Sequence, residues 1–225
     1  MSSAHAALPR WTLVLPVQSA GRAKSRLVVP PGVDHAQLAR AMALDTLAAV
    51  RACPLVQRRI VVTSDAVVGA AALGAGDDVV PDDGRGLGAA VAAGVARALR
   101  LAPNGAIGVL LADLPAATPD DLSLALAAAA SHRSAFVPDD EGTGTVLLAA
   151  VSGASLRPSF GAGSAARHQA LGAVRLDLDL PRLRSDVDTV RGLQAAAALG
   201  LGPQTRSAVT GWHSDRVGQG RAASR

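Results

Sequence analysis

The segment Ile107-Gly-Val-Leu-Leu-Ala-Asp-Leu-Pro115 joins an apolar run directly to a carboxylate. Five of its first six residues are apolar, the pattern of a strand buried on both faces of a parallel sheet. Asp113 follows with no polar transition, and Pro115 blocks continuation as a helix. Thr118-Pro119-Asp120-Asp121 then reads as an N-cap, a proline at the first helical position and acids in the first turn. Asp113 is therefore expected at the carboxyl end of a central strand, where open α/β sheets bind ligands. On this stretch alone it is either a cap for nearby amides or a metal ligand.

Working outward, the chain repeats strand and helix. Trp11 to Val17 reads as a strand, and Asp34 to Cys53 as a helix with Leu38, Met42, Asp45, Thr46 and Ala49 grading from apolar to polar around it. Arg58 to Ser64 reads as a strand and Asp65 to Leu73 as a short helix. Asp78 to Pro81 is a brief strand. Asp82-Asp-Gly-Arg-Gly-Leu-Gly88 opens a helix running to about Arg100. This is the doubly wound pattern built from right-handed crossovers. Further on, 121–132 reads as a helix, 134–138 and 146–151 as strands, 174–180 as an alternating strand and 189–199 as the last helix.

Composition narrows the function classes. The formal charge is +4 over 225 residues. After Pro203, four arginines (206, 216, 221, 225) against Asp215 supply +3, which leaves the body at +1. With four aromatic residues and no tyrosine, platforms for base stacking are scarce, so a nucleic-acid partner is not expected. No run is long and pure enough to span a bilayer. The N-terminus lacks the basic and apolar blocks of a signal peptide, and Cys53 is the one cysteine. The expectation is a soluble cytoplasmic protein with no membrane partner. Residues 1–10 are expected to be flexible, 11–203 to form one domain, and the Arg/Gly/Ser/Ala-rich 204–225 to be a disordered tail.

Four loops carry candidate chemistry. Gln18-Ser-Ala-Gly-Arg-Ala-Lys-Ser-Arg-Leu27 combines small residues, which let amides approach an anion, with three cations. Lys24 is the only lysine, beside 21 arginines (22 Lys+Arg less one); a compact ammonium suits a point contact on phosphate. Gly86 and Gly88 would let a ligand rest against a helix start, although a tight structural turn explains them equally. Gly142-Thr-Gly-Thr145 offers amides and hydroxyls before a strand, as an oxyanion cradle or a plain hairpin. Phe160-Gly-Ala-Gly-Ser-Ala-Ala-Arg-His168 pairs free backbone with Ser164 as a cap and places Arg167 and His168 in the first helical turn. The macrodipole disfavours cations there, which points to a second anion site. Two anion sites imply two phosphorylated substrates. Asp186 and Asp188 fall on one side of an extended segment and, brought near Asp113, make an all-oxygen site for Mg²⁺. Asp188 is alternatively the N-cap of the last helix.

The order and wording of five pieces resemble one family: Ala23-Lys-Ser-Arg-Leu27, Ala112-Asp-Leu-Pro115, Gly142-Thr-Gly-Thr145, Phe160 to His168, and Asp186-Val-Asp-Thr189. These resemble the phosphoenolpyruvate and 2-phospho-L-lactate guanylyltransferases of coenzyme F-420 biosynthesis, relatives of the nucleotide-sugar and molybdenum-cofactor nucleotidyltransferases. The resemblance spans roughly Leu13 to Gln204. It implies a three-layer α/β/α Rossmann-like (GT-A-like) nucleotidyltransferase fold with a mostly parallel mixed sheet. It further implies GTP over Gly21, Arg22, Lys24 and Arg26, with Gly86 and Leu87 near the nucleoside. Asp113, Asp186 and Asp188 would hold Mg²⁺, and Thr145, Gly161 and Ser164 would hold a small phosphorylated three-carbon acid. Lys24 and Asp113 carry the catalytic roles, and a homodimer is left open. Other phosphorylated acceptors (3-phosphoglycerate, a sugar phosphate or molybdopterin) are the alternative. Two positions depart from the family pattern. Gly88 stands where asparagine is common, and Gln18 replaces a common lysine, so one expected cation is missing.

Overall fold

The computed structural model describes residues 8–18 and 33–210. Seven strands form one sheet in the order β3-β2-β1-β4-β6-β5-β7. The strands are β1 (Trp11–Val17), β2 (Val56–Thr63), β3 (Asp78–Pro81), β4 (Ala106–Leu110), β5 (Ser134–Pro138), β6 (Thr145–Ala150) and β7 (Val174–Arg175). β1 to β4 pair in parallel, β6 runs antiparallel to both β4 and β5, and β7 is parallel to β5. The mostly parallel mixed sheet read from the sequence is the observed one.

Eight helices accompany the strands among the described residues: α1 (His35–Ala52), α2 (Ala66–Gly74), α3 (Leu87–Leu101), α4 (Pro119–Ala129), α5 (Ser164–Ala170), α6 (Pro181–Arg184), α7 (Val190–Leu199) and α8 (Pro203–Ala208). All of β1 is buried, and its pleat divides the core. Leu13, Leu15 and Val17 enter one cluster with Leu47 of α1, Val68 of α2 and Leu126 of α4. Val14 enters the other with Val91 of α3 and Ala165 of α5. Helices thus cover both faces, giving three layers. Gly94 brings α3 close to the sheet: a Cβ there would collide with Val14 Cγ1 and lie 2.8 Å from Val62 Cγ2.

The helix starts follow local chemistry. Asp34 accepts from the Gln37 amide, Asp65 from Val67 and Val68, and Thr118 from Asp121, each a side-chain N-cap. Between β1 and β4 the order of connections reverses, since β2 and β3 lie to one side of β1 and β4 to the other. The carboxyl ends of β1 and β4 therefore flank a topological switch point, and a crevice opens there.

Three expectations need correction. The alternation over 174–180 is genuine in burial, with Leu176 and Leu180 inside and Asp177 and Asp179 exposed, yet only Val174 and Arg175 pair with β5. β5 ends at Pro138, which has no amide to extend a ladder. The tail expected from 204 begins with ordered structure. α8 packs against α1, and the buried Asp45 carboxylate accepts from the amides of Gln204 at 3.1 Å and Thr205 at 2.7 Å. Residues 1–7 and 211–225, the remainder of both expected flexible ends, lie outside the described residues. The apolar-to-polar grading expected around α1 is also absent, because Leu38, Met42, Asp45, Thr46 and Ala49 are all buried. α1 is enclosed by the sheet on one side and by α7 and α8 on another. Among the described residues no helix is long and apolar enough to cross a membrane.

Candidate active site

The crevice at the switch point is a cleft of about 470 Å³, bordered by the end of β1 at Pro16 to Gln18 and the end of β4 at Leu111 to Asp113. β4 ends at Leu110, so Asp113 stands three residues beyond the strand on a supported loop. Thr46 of α1 clasps that loop. Its hydroxyl lies 3.2 Å from the Ala112 carbonyl and accepts from the Leu114 amide at 3.2 Å. The Val187 amide donates to the Asp113 carbonyl at 3.1 Å.

That last bond brings the second acidic segment in. Val187 is fully buried, which turns its neighbours Asp186 and Asp188 to the opposite side, as extended backbone requires. One carboxylate oxygen each from Asp113, Asp186 and Asp188 lies within 4.8 Å of the other two. Three hard oxygen donors at this spacing fit a divalent cation such as Mg²⁺, with room for water and phosphate ligands. The alternative role for Asp188 does not hold: Thr189 is the N-cap of α7 and accepts from the Gly192 amide at 3.1 Å.

The cleft's charge is one-sided. Asp113, Asp139, Glu141, Asp186 and Asp188 line it, and no lysine or arginine does so among the described residues. The cation-rich candidates Arg22, Lys24 and Arg26, with Gly21, lie outside the described residues. Gly86 is the N-cap of α3 with φ +97°, a backbone that favours glycine, and Leu87 lines the cleft.

Thr145 and Gly161 also line the cleft, whereas Ser164 is buried at the first residue of α5 and is not part of the lining. Two expectations about anion-binding groups change here. The amides of Thr143 and Gly144, read as an open cradle, donate to the Asp139 carboxylate at 2.9 and 2.7 Å. An aspartate four residues ahead of the threonine intercepts them, as Asx-type turns do. Nor do Arg167 and His168 present two cations to a ligand. The Arg167 guanidinium donates to the carbonyls of Ser159, Phe160 and Ala162, holding that loop over α5. His168 is fully buried. Burial, with the charge of Arg167 adding to it, pushes its pKa down to about 4, so the ring is neutral at pH 7. Arg167 and His168 in fact lie in the last turn of the seven-residue α5, where the macrodipole does not disfavour a cation, and the histidine is not a cation at all.

Sequence reading missed Asp139, Glu141 and Thr46 as parts of the site. The acidic run 139–141 directly before a Gly-Thr-Gly-Thr loop was the available signal for the first two. Thr46 carried none, because its partners are 66 and 68 residues away.

Comparison with known proteins bears on the family and the fold. Residues 39–179 match the model of the MobA-like NTP transferase domain. The phosphoenolpyruvate guanylyltransferase of Streptomyces coelicolor is 50% identical over 202 residues, covering 87% of this chain and 94% of the relative. That of Streptosporangium roseum is 45% identical over 200 residues, covering 88% and 90%. Among solved structures, a putative nucleotide-diphospho-sugar transferase from Desulfovibrio desulfuricans G20 superposes with a TM-score of 0.59 at 16% identity, over 82% of this chain and 85% of that one. At that identity it supports the fold alone. The chain belongs to the phosphoenolpyruvate guanylyltransferase family, within the MobA-like NTP transferases.

Proposed function

We propose that this protein transfers GMP from GTP to phosphoenolpyruvate, releasing pyrophosphate, with Asp113, Asp186 and Asp188 as the ligands of a catalytic Mg²⁺. The observation that carries the reading is the convergence of these three carboxylates in a cleft whose described lining holds five acids and no basic side chain. A triphosphate and a phosphoacid are themselves anions, and cations suit them to this cleft, from a bound divalent ion and from the basic loop that follows β1 in sequence.

A divalent ion at this position supplies charge neutralisation on the phosphates and holds the two substrates in register. The protein's own contribution is geometric. Thr46 and Val187 fix the backbone on both sides of Asp113, so the carboxylate is positioned before substrates arrive. Lys24 is assigned to the phosphates of GTP, with Arg22, Arg26 and Gly21 beside it and Gly86 and Leu87 toward the nucleoside. Thr145 and Gly161, which line the cleft, are assigned to the acceptor, whereas Ser164, buried at the start of α5, is not.

In the reaction an oxygen of the acceptor's phosphate forms a bond to the α-phosphorus of GTP, and the bond from that phosphorus to the β-phosphate bridging oxygen breaks. Pyrophosphate carries away the electron pair. No protein base is needed, because a phosphate monoester with a second pKa of roughly 6 is already largely dianionic at neutral pH. Positioning and charge neutralisation are sufficient.

The test is incubation with GTP, Mg²⁺ and either phosphoenolpyruvate, 2-phospho-L-lactate or 3-phosphoglycerate, followed by mass detection of the product. The expected result is a diphosphate-linked guanosine adduct of phosphoenolpyruvate with one pyrophosphate per turnover. An adduct formed only with another acceptor would refute the assignment of substrate.

A further inference from the structure

His168 has no part in the transfer chemistry, yet it is a buried imidazole in contact with the cleft wall. Its Nε2 accepts from the Ser159 amide at 2.9 Å. A backbone amide can only donate, so Nε2 bears no proton, and in a neutral ring the proton is on Nδ1. Nδ1 lies 2.9 Å from the Thr145 hydroxyl oxygen. Thr145 therefore accepts from the ring, and its own proton must go to another partner.

Thr145 is itself buried and is one of the residues that line the cleft. The ring is locked in orientation by more than its two hydrogen bonds. Phe160 meets it edge-on with centroids 5.1 Å apart, and Phe136 packs at 5.9 Å. Neither neighbour offers a competing acceptor. A hydrogen-bond chain of fixed direction thus runs from the Ser159 amide, through the imidazole, to the hydroxyl of Thr145.

We propose that His168 is a positioning residue for the acceptor, whose Nδ1–H holds the Thr145 hydroxyl as a one-way donor to an anionic oxygen of the phosphoacid. This rests on the reading of Thr145 as part of the acceptor wall. A hydroxyl that could turn either way would accept from a neutral ligand as readily as it donates to an anion. With the ring's proton on one of its lone pairs, the hydroxyl directs its own proton away from His168, which favours an anionic carboxylate or phosphate oxygen as the partner.

Two isosteres separate the two ring contacts. His168→Asn places an amide donor near the position of Nδ1, whereas His168→Gln places its amide near Nε2 and leaves Thr145 without a donor. Acceptor KM at saturating GTP and equilibrium GTP binding are measured for both, for Thr145→Val and for the double variant His168→Gln/Thr145→Val. The expected result is a rise in acceptor KM of roughly tenfold or more for His168→Gln, the effect of one hydrogen bond to a charged group. GTP affinity should stay within about twofold, His168→Asn should recover most of the loss, and His168→Gln should add little once Thr145 is valine. Full multiplication of the two effects, or no advantage of Asn over Gln, would overturn the proposal. An unchanged acceptor KM in Thr145→Val would remove the wall itself, and the positioning role with it. The tautomer is read separately on the wild-type protein by long-range ¹H–¹⁵N correlation. A proton on Nδ1 supports the proposed direction of the hydrogen bonds, and a proton on Nε2 overturns it whatever the variants do.

Discussion

The amide of Val187 donates to the carbonyl of Asp113 at 3.1 Å. One backbone bond therefore ties the loop after β4 to the segment before α7 and sets the acids on both sides of it. The bond sets the backbone from which the three carboxylates converge to within 4.8 Å of one another, a spacing that suits a divalent cation.

Thr46 supports the same loop from the opposite side. Thr46→Val keeps the shape but leaves the fully buried Leu114 amide without its acceptor. A loss of about 1–3 kcal/mol in unfolding free energy is expected, together with reduced turnover from a displaced Asp113. Urea denaturation and initial rates measured on one preparation check both. Unchanged turnover in a destabilised variant would show that Thr46 serves stability alone.

The single lysine gives a second prediction, resting on sequence because it lies outside the described residues. Lys24→Arg keeps the charge but exchanges a compact ammonium for a broad planar fork. Turnover should fall clearly, and by more than in Arg22→Lys. Steady-state rates at saturating GTP decide it; wild-type rates in Lys24→Arg would make the lysine incidental.

Stability should depend on pH through His168. An unfolded histidine takes up its proton near its ordinary value of 6.5, and the buried one only near 4. Between those values the unfolded chain binds more protons, so stability falls as pH falls, and it is fully present above about 6.5. Phe136, Phe160 and Thr145, which contact the ring, carry no charge; Arg167 is the charged neighbour named among the causes. Roughly 2–3 kcal/mol should be lost between pH 7 and pH 4.5. Carboxylates titrate in the same range, so the comparison is with His168→Gln, whose pH slope should be shallower by that amount. Parallel slopes would contradict a neutral buried imidazole.

Much of the frame was legible because its signals are local. Continuous apolar runs marked β1, β2 and β4, and caps such as Asp34 and Thr118 marked where helices begin. The Asp-Val-Asp alternation placed Asp186 and Asp188 on one side correctly, since strand geometry alone determines it. What failed depended on distant partners. α8 is six residues of polar composition, and its first amides are satisfied by Asp45, 159 residues away for Gln204. His168 read as a cation because nothing near it in sequence announces burial between Phe136 and Phe160. The amides of the Gly-Thr-Gly-Thr loop read as open because their acceptor, Asp139, is brought to them by the shape of the turn and not by any local signal.

The central claim is that transfer occurs at the Asp113, Asp186 and Asp188 cluster and depends on a divalent ion held there. Its most direct test measures pyrophosphate release and adduct formation from GTP and phosphoenolpyruvate in the wild-type protein and in Asp113→Asn. Mg²⁺ is supplied in one set and chelated in the other, and melting temperature is recorded alongside. Loss of a charge that acts in the transition state costs several kcal/mol, so Asp113→Asn should melt near the wild type yet turn over at least roughly a hundredfold more slowly. The chelated wild-type enzyme should be equally silent. Undiminished transfer in Asp113→Asn, or in the absence of divalent metal, would contradict the account.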